Sequence, residues 1–397
     1  MPSDKYVLFC AGEDSGDSIG ESLVKNIIAD GRFTVVGAGG ARMQKAGLEP
    51  LVDFENLPVS GFGDVLPKYF KLRKSFNQLK SALESPNCKG FVAIDYPGFN
   101  MKLVRLAKRL KKPSLYVAPP QVWAWKKKRA RELAENTFLK LAVFFDFEEA
   151  VYCNAGCEVE CVTHPFVNSV GLESKSDKIL EDSLSSKILL LPGSRKSQAL
   201  RNLPIYLKAI KDVSNVVVVA ARQELVSAFE KFGMQVVVAP HDAKERMAFY
   251  QKAEYAITAP GTATLELALS GCSMVVCTKP DMLTYCLGKL FVKTKYFALP
   301  NIILDRLVYP EYILGPFEHI KRRCPTLVAM RTKEQSSKCC PPIKSGMTRE
   351  NDWAKGLCST PLPDKIRAIE VAKELREKLA AEKSLDSLMA EFLRKLV

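Results

Sequence analysis

Gly12-Glu13-Asp14-Ser15-Gly16-Asp17 follows the apolar run Tyr6–Cys10, and Leu191-Pro192-Gly193-Ser194-Arg195 closes the run that begins at Ile188. Each reads as a buried strand turning into a glycine-bearing loop ahead of a helix, the arrangement by which α/β proteins present backbone N–H groups to an anion. Two such halves imply two α/β domains facing across a cleft, a nucleotide on one side and its reaction partner on the other. Outward from these loops, apolar runs alternate with amphipathic segments from Tyr6 to about Leu299, the pattern of parallel sheets covered on both faces. Further strands are expected at Phe33–Val36, Phe91–Ile94, Ser114–Val117, Leu141–Phe145, Val216–Ala220, Val236–Ala239, Tyr255–Thr258 and Met274–Cys277. No solenoid-like repeat is evident.

A chain of 397 residues exceeds one ordinary core. The expected domains are residues 1–170 and 171–330, separated within the polar stretch between Asn168 and Lys187. Residues 331–363, rich in Cys, Pro, Lys and Ser, read as a poorly structured excursion. Helical spacing resumes at Ile366, Ile369, Val371, Ala372 and Leu375, so residues 364–397 should form one or two helices. The 58 Lys and Arg against 44 Asp and Glu give a net charge of +14, which favours anionic partners: phosphorylated small molecules, nucleic acid or an anionic membrane face. Met1-Pro2-Ser3-Asp4-Lys5 shows no secretory pattern, and no stretch has the roughly 18 uninterrupted apolar residues of a spanning helix. A cytoplasmic location is therefore expected, where the 12 cysteines read as reduced thiols. With no C-x-x-C pair, no metal site is expected.

Gly37-Ala38-Gly39-Gly40-Ala41-Arg42 approaches a dinucleotide fingerprint but places Arg42 where a small residue must let the helix approach the sheet, which disfavours NAD. There is no P-loop and no nucleophile elbow, and His164, His241 and His319 suggest no hydrolase triad. In Gly261-Thr262-Ala263-Thr264-Leu265-Glu266 a strand passes into a helix, so Gly261, Thr262 and Thr264 suit a phosphate. Glu266, one turn inside, either receives two vicinal ribose hydroxyls or complements the helix dipole. Arg195 offers a planar fork for a diphosphate or else an interdomain ion pair. Asp95 ends an apolar run before Tyr96-Pro97-Gly98, at the carboxyl edge of the sheet where α/β ligands bind. It is either a proton acceptor for an attacking hydroxyl or an Asx turn. Glu13, Ser15 and Asp17 are likewise cleft residues or turn formers.

From Asn100 to Arg131 there are 11 Lys or Arg and no Asp or Glu, interleaved with Tyr116, Trp123 and Trp125. Upstream, Val65, Leu66, Tyr69, Leu72, Phe76, Leu79 and Leu83 recur at helical spacing among Lys68, Lys71, Arg73, Lys74 and Lys80. Both a core-facing helix with a solvated basic face and a helix at a membrane interface fit this pattern.

Taken in order, these motifs resemble the lipid-A-disaccharide synthase family. The matching stretches are Gly12–Asp17, Gly37–Gly40 with Met43, Ser60-Gly61 with Asp64-Val65-Leu66, Ile94–Asn100, Pro120-Gln121-Val122-Trp123-Ala124-Trp125 with Arg129, Phe147-Glu148 with Tyr152, His164-Pro165, Leu190–Arg195, Gly261–Glu266, and Leu299-Pro300-Asn301 with Pro310-Glu311. Pro260, Gln198, Asp146 and Thr163 depart from the family's usual residues, and the match fades after Glu311. The resemblance implies a GT-B fold, two Rossmann-like parallel-sheet domains, and an inverting transfer with no cofactor or required metal. In the family, UDP-2,3-diacylglucosamine donates its sugar to the 6-hydroxyl of 2,3-diacylglucosamine 1-phosphate (lipid X). Carried over, Asp95 is the general base, while Arg195, Glu266 and Asn301 belong to the UDP site, joined by Gly261, Thr262, Thr264, Glu13, Ser15 and Asp17 as substrate contacts. Tyr69, Phe70, Leu72, Phe76, Trp123 and Trp125 become membrane contacts, which implies a cytoplasmic protein attached peripherally to the anionic inner-membrane surface; a homodimer is left open. The competing readings are another GT-B enzyme such as a UDP-sugar epimerase, and a basic nucleic-acid-binding protein; the basic aromatic helix argues against the first and the Pro-rich setting of the tryptophans against the second.

Overall fold

The structure, a computed structural model, describes residues 4–54, 57, 65–124, 128–169, 187–210, 212–282, 284–285, 294–315 and 363–396, and of residues 65–69 the backbone alone. Ser60-Gly61, Asp64, Trp125 and nearly all of the 331–363 excursion lie outside the described residues. Contacts divide the chain into two compact units, Met1–Pro165 with Lys378–Val397, and Phe166–Glu377.

The first unit is built on seven parallel strands: β1 (Tyr6–Ala11), β2 (Thr34–Ala38), β3 (Leu48–Pro50), β4 (Cys88–Ile94), β5 (Ser114–Val117), β6 (Leu139–Val143) and β7 (Val159–Cys161), in the order β3-β2-β1-β4-β5-β6-β7. Every residue of β1 is buried, as an apolar run covered on both faces requires. The connecting helices are α1 (Asp14–Asp30), α2 (Ala41–Lys45), α3 (Val65–Glu84), α4 (Pro97–Arg109), α5 (Lys128–Ala134) and α6 (Asp146–Cys153). Helix α1 stops at Gly31, whose φ of 75° lets its N–H close onto the Ile27 carbonyl.

The second unit carries β8 (Ile188–Leu191), β9 (Val216–Ala220), β10 (Gln235–Val238), β11 (Tyr255–Thr258), β12 (Met274–Thr278) and β13 (Glu311–Ile313), ordered β10-β9-β8-β11-β12-β13. Its helices are α7 (Lys196–Ala209), α8 (Val226–Glu230), α9 (Ala243–Gln251), α10 (Thr262–Leu269) and α11 (Leu299–Ile303). Asp242 caps α9 by accepting from the N–H groups of Lys244 (2.8 Å) and Glu245 (3.0 Å).

The chain ends in α12 (Lys365–Leu379) and α13 (Leu385–Arg394). The latter returns to the first unit, where Phe392 and Leu396 fill the space left by Gly90 on β4: a Cβ there would stand 2.7 Å from Leu396. Thr163 Oγ1 donates to Ala381 O (2.8 Å), and Lys383 bridges Glu160 (2.5 Å) and Glu391 (2.6 Å). Partly solvated pairs of this kind contribute little, so apolar burial against α1 and β4 anchors the tail.

Both sheets have the doubly wound order, in which connections leave in opposite directions from one pair of neighbouring strands and open a crevice at their carboxyl ends. In the first unit that pair is β1 and β4, paired through Ala11 and Ile94. In the second it is β8 and β11, paired through Leu191 and Thr258. The α/β expectation with two Rossmann-like sheets holds. Three short edge strands, β3, β7 and β13, were not foreseen.

Candidate active site

In the first unit, Asp95 leaves the carboxyl end of β4 beside the Gly12 loop that leaves β1. Asp95 and Tyr96 both have left-handed backbones, with φ of 45° and 50°. Such a conformation costs a non-glycine residue about 1–3 kcal/mol and persists only where surroundings enforce it. Here they do. The Asp95 N–H donates to Val117 O (2.9 Å), and its carbonyl accepts from Asn100 Nδ2 (2.8 Å) and the Tyr116 hydroxyl (2.9 Å). Tyr96 donates to Leu57 O (2.5 Å), stacks on Phe99 and lies against Gly12, where a Cβ would come within 2.2 Å of its ring. Pro97 then starts α4 at a position that needs no N–H. Asp-Tyr-Pro-Gly-Phe-Asn is thus a single device that sets a half-buried carboxylate at the crevice.

Glu13 and Ser15 are half-exposed at the start of α1, which follows the carboxyl end of β1. Asp17 is turned elsewhere. Its buried carboxylate accepts from the N–H groups of Arg42 and Met43 (3.1 Å each) and caps α2, with burial pushing its pKa up against those donors.

At the adjoining ends of β5 and β6, Trp123 Nε1 donates to Glu148 Oε1 (2.9 Å), and its ring meets Phe147 edge-on at 5.3 Å. Trp123 is therefore a half-buried partner of a buried carboxylate. On α3, Leu72 and Phe76 pack against the core, Phe76 meeting Phe99 at 5.6 Å with Lys102 over its ring. Phe70 is 79% exposed and borders an open groove of about 610 Å³ with Arg73 and Lys74. The Tyr69 side chain and Trp125 lie outside the described residues.

In the second unit, Arg195 occupies the N-cap position of α7, two residues after Gly193, whose φ is 121°. Asn202 braces this loop: Nδ2 donates to Pro192 O (2.9 Å) and Oδ1 accepts from Lys279 N (2.8 Å), tying the ends of β8 and β12. Across the crevice Gly261, with φ of 144° and open space where a Cβ would stand, precedes α10. Thr262 is half-buried at its start; Thr264 Oγ1 donates to Gly261 O (2.8 Å) and accepts from Leu299 N (3.3 Å). The loops at Gly193–Arg195 and Gly261–Thr264 thus flank one switch point, a geometry suited to a phosphate.

Glu266 is not a free dipole partner. Arg246 Nε stands 3.0 Å from both carboxylate oxygens, Nη2 donates to Oε1, and Nη1 donates to the carbonyls of Pro240 (2.9 Å) and His241 (3.0 Å). Burial alone would pull the Arg246 pKa down; the Glu266 carboxylate more than reverses this. Each carboxylate oxygen keeps acceptor capacity beyond this fork. Asn301 is fully buried and internally satisfied, donating from Nδ2 to Tyr309 O and Glu311 Oε1 (2.7 Å each) and accepting from Val308 N (2.8 Å) and Tyr309 N (2.9 Å). Glu311 in turn accepts from Phe297 N (3.0 Å) and Ala298 N (2.8 Å), with burial raising its pKa. Asn301 and Glu311 therefore fix the segment that crosses Thr264. Arg246 was not singled out from sequence, and Glu148 carried no assigned role there. Their partners lie 20 and 25 residues away, so no local pattern marks either.

A family model described as Lipid-A-disaccharide synthetase matches residues 7–342. Lipid-A-disaccharide synthase of Syntrophus aciditrophicus (strain SB) is 33% identical over 328 residues, covering 79% of this chain and 85% of the relative. Lipid-A-disaccharide synthase 1 of Legionella pneumophila (strain Lens) is 32% identical over 329 residues, with 79% and 85% covered. Among solved structures, the glycotransferase of kitacinnamycin aligns at a TM-score of 0.52 and 15% identity over 100% of both chains. Arabidopsis thaliana UGT89C1 aligns at 0.52 and 11% identity over 98% of this chain and 100% of that one. At such identities the likeness speaks to the fold alone, which is GT-B.

Proposed function

This chain belongs to the lipid-A-disaccharide synthase family of glycosyltransferases, and we propose that it joins UDP-2,3-diacylglucosamine to 2,3-diacylglucosamine 1-phosphate with inversion. Asp95 takes the proton of the acceptor's 6-hydroxyl as that oxygen attacks the anomeric carbon; the bond from that carbon to the diphosphate breaks, and UDP leaves with the electron pair. Inversion needs one base behind the acceptor and positive charge on the departing diphosphate. Arg195 supplies the charge, the loops at Gly193 and Gly261 hold the phosphates, and Glu266, oriented by Arg246, accepts from ribose hydroxyls. The observation that carries this reading is the half-buried Asp95 carboxylate held in a left-handed backbone at the sheet's crevice. Incubation with donor and acceptor should yield the disaccharide 1-phosphate by mass. Consumption of donor without that product contradicts the proposal.

Arg195→Ala is expected to weaken UDP binding by about 10- to 100-fold, the value of a lost charge-assisted hydrogen bond of ~1.5–3 kcal/mol. Equilibrium titration with UDP checks it; unchanged affinity removes Arg195 from the site.

Diacylated substrates reside in a bilayer, and we assign the exposed Phe70 with Arg73 and Lys74 to contact with the anionic inner-membrane surface on its cytoplasmic side. Among the described residues no helix is long and apolar enough to cross a membrane. Co-sedimentation with phosphatidylglycerol vesicles should be released by salt, and Phe70→Ser should lower it by about tenfold from lost apolar burial. Equal sedimentation of the variant contradicts that assignment.

A further inference from the structure

Glu148 is 5% exposed, yet it ends in a carboxylate close enough to Asp95 for the two to feel each other's charge. Its position is fixed from two sides: Trp123 Nε1 donates to Oε1 at 2.9 Å, and the Phe144 backbone N–H also donates to the carboxylate. Asp95, Trp123 and Glu148 come from the carboxyl ends of β4, β5 and β6, three neighbouring strands. Two carboxylates are therefore gathered at one edge of the first unit, one half-buried at the crevice and one behind it.

We propose that Glu148 is a positioning residue for the transfer, acting through Asp95: its carboxylate, held by Trp123, supplies negative charge that strengthens Asp95 as the acceptor of the hydroxyl proton. If the charge of Asp95 makes Glu148 harder to ionise, an ionised Glu148 makes Asp95 a stronger base by the same coupling. Burial first, then the charge of Asp95, pushes Glu148 up to about 7, while the Trp123 hydrogen bond opposes the shift. The Glu148 carboxylate thus changes charge near neutral pH.

Two tyrosines and a cysteine near the pair do not titrate in its place. Tyr116 on β5, whose hydroxyl binds the Asp95 carbonyl, is held well above the usual phenol range by burial, and so is Tyr152 on α6, which donates to Pro120 O. Cys161 on β7 is pushed up to about 11, chiefly by burial. Arg129 on α5 adds positive charge near both tyrosines, and Asp146 and Glu149 on α6 stand around Cys161 with Glu148.

This inference rests on the transferase reading and is tested by kcat/KM against pH. Wild-type activity should rise through a step near pH 7. Glu148→Gln keeps the side-chain shape and an acceptor for Trp123 but not the charge; it should flatten that step and lower activity at pH 8 by about tenfold, a modest part of what general-base catalysis supplies. Trp123→Phe removes a donor to the ionised form and should move the step to higher pH. An independent reading comes from a Trp125→Phe, Trp353→Phe background, in which Trp123 is the remaining tryptophan. Its fluorescence should show the same step, abolished by Glu148→Gln. A Glu148→Gln enzyme that keeps the step, or that loses activity by one factor at every pH, overturns this inference while wild-type turnover leaves the transferase reading standing. A wild-type protein that makes no disaccharide at any pH overturns both.

Discussion

Replacing Asp95 with Asn is expected to lower disaccharide formation by about 10²- to 10⁴-fold, the usual worth of a positioned general base, with UDP affinity unchanged. The choice of Asn follows from the backbone. At φ of 45° most residues would add strain, whereas Asn tolerates the left-handed region well and matches Asp in shape. The backbone clamp from Val117, Asn100 and Tyr116 uses only the N–H and carbonyl of residue 95, so it survives the change. What is lost is the ability to take a proton. Near-normal turnover in a folded Asp95→Asn enzyme would falsify the base assignment.

Arg246→Ala is expected to have the largest effect on stability, about 3–5 kcal/mol, because it strands the buried Glu266 carboxylate without its partner. Both side chains are nearly sealed from solvent, with 8% and 7% exposure, so screening does not soften the loss as it does for surface pairs. The same substitution removes the donors that satisfy the Pro240 and His241 carbonyls. At roughly 2–4 °C per kcal/mol for a domain of this size, the thermal midpoint should fall by about 6–20 °C. The double variant Arg246→Ala, Glu266→Ala should recover part of that loss, since no charge is then left unpaired. A fall of under about 2 °C in the single variant contradicts the claim that this pair holds α9 to α10.

The central strands were legible because buried parallel strands write themselves as short apolar runs. Val216–Ala220 and Ser114–Val117 occur where the runs stand. The edges β3, β7 and β13 were not, since three residues lying half in solvent, such as Val159-Glu160-Cys161, carry no run to read. Helix α3 shows a related limit: periodicity marked Leu72 and Phe76 as one apolar stripe but could not say what that stripe covers, and the structure turns both toward the core, leaving Phe70 exposed.

The placement of residues delivered by the chain's own punctuation was readable. Asp95 before Tyr-Pro-Gly and Arg195 after Pro-Gly-Ser both lie at strand ends beside a switch point. Asp17, beside a glycine-rich loop, reads as a cleft residue or a turn former, and Asn301 is a substrate contact only through the family resemblance; the structure commits their polar atoms to capping α2 and to bracing the Tyr309 turn. A polar side chain near a glycine-rich loop looks alike in sequence whether it faces a ligand or its own backbone. Arg246 and Glu148 show the converse. Each is defined by a partner on another element, which local spacing does not encode.

The proposed reaction is a single displacement at the donor's anomeric carbon, driven from the acceptor side by Asp95. The anomeric configuration of the disaccharide, read by NMR from the product of purified enzyme and defined substrates, tests it most directly. A β-1,6 linkage, opposite in configuration to the donor, is expected. A product that retains the donor's configuration would contradict it.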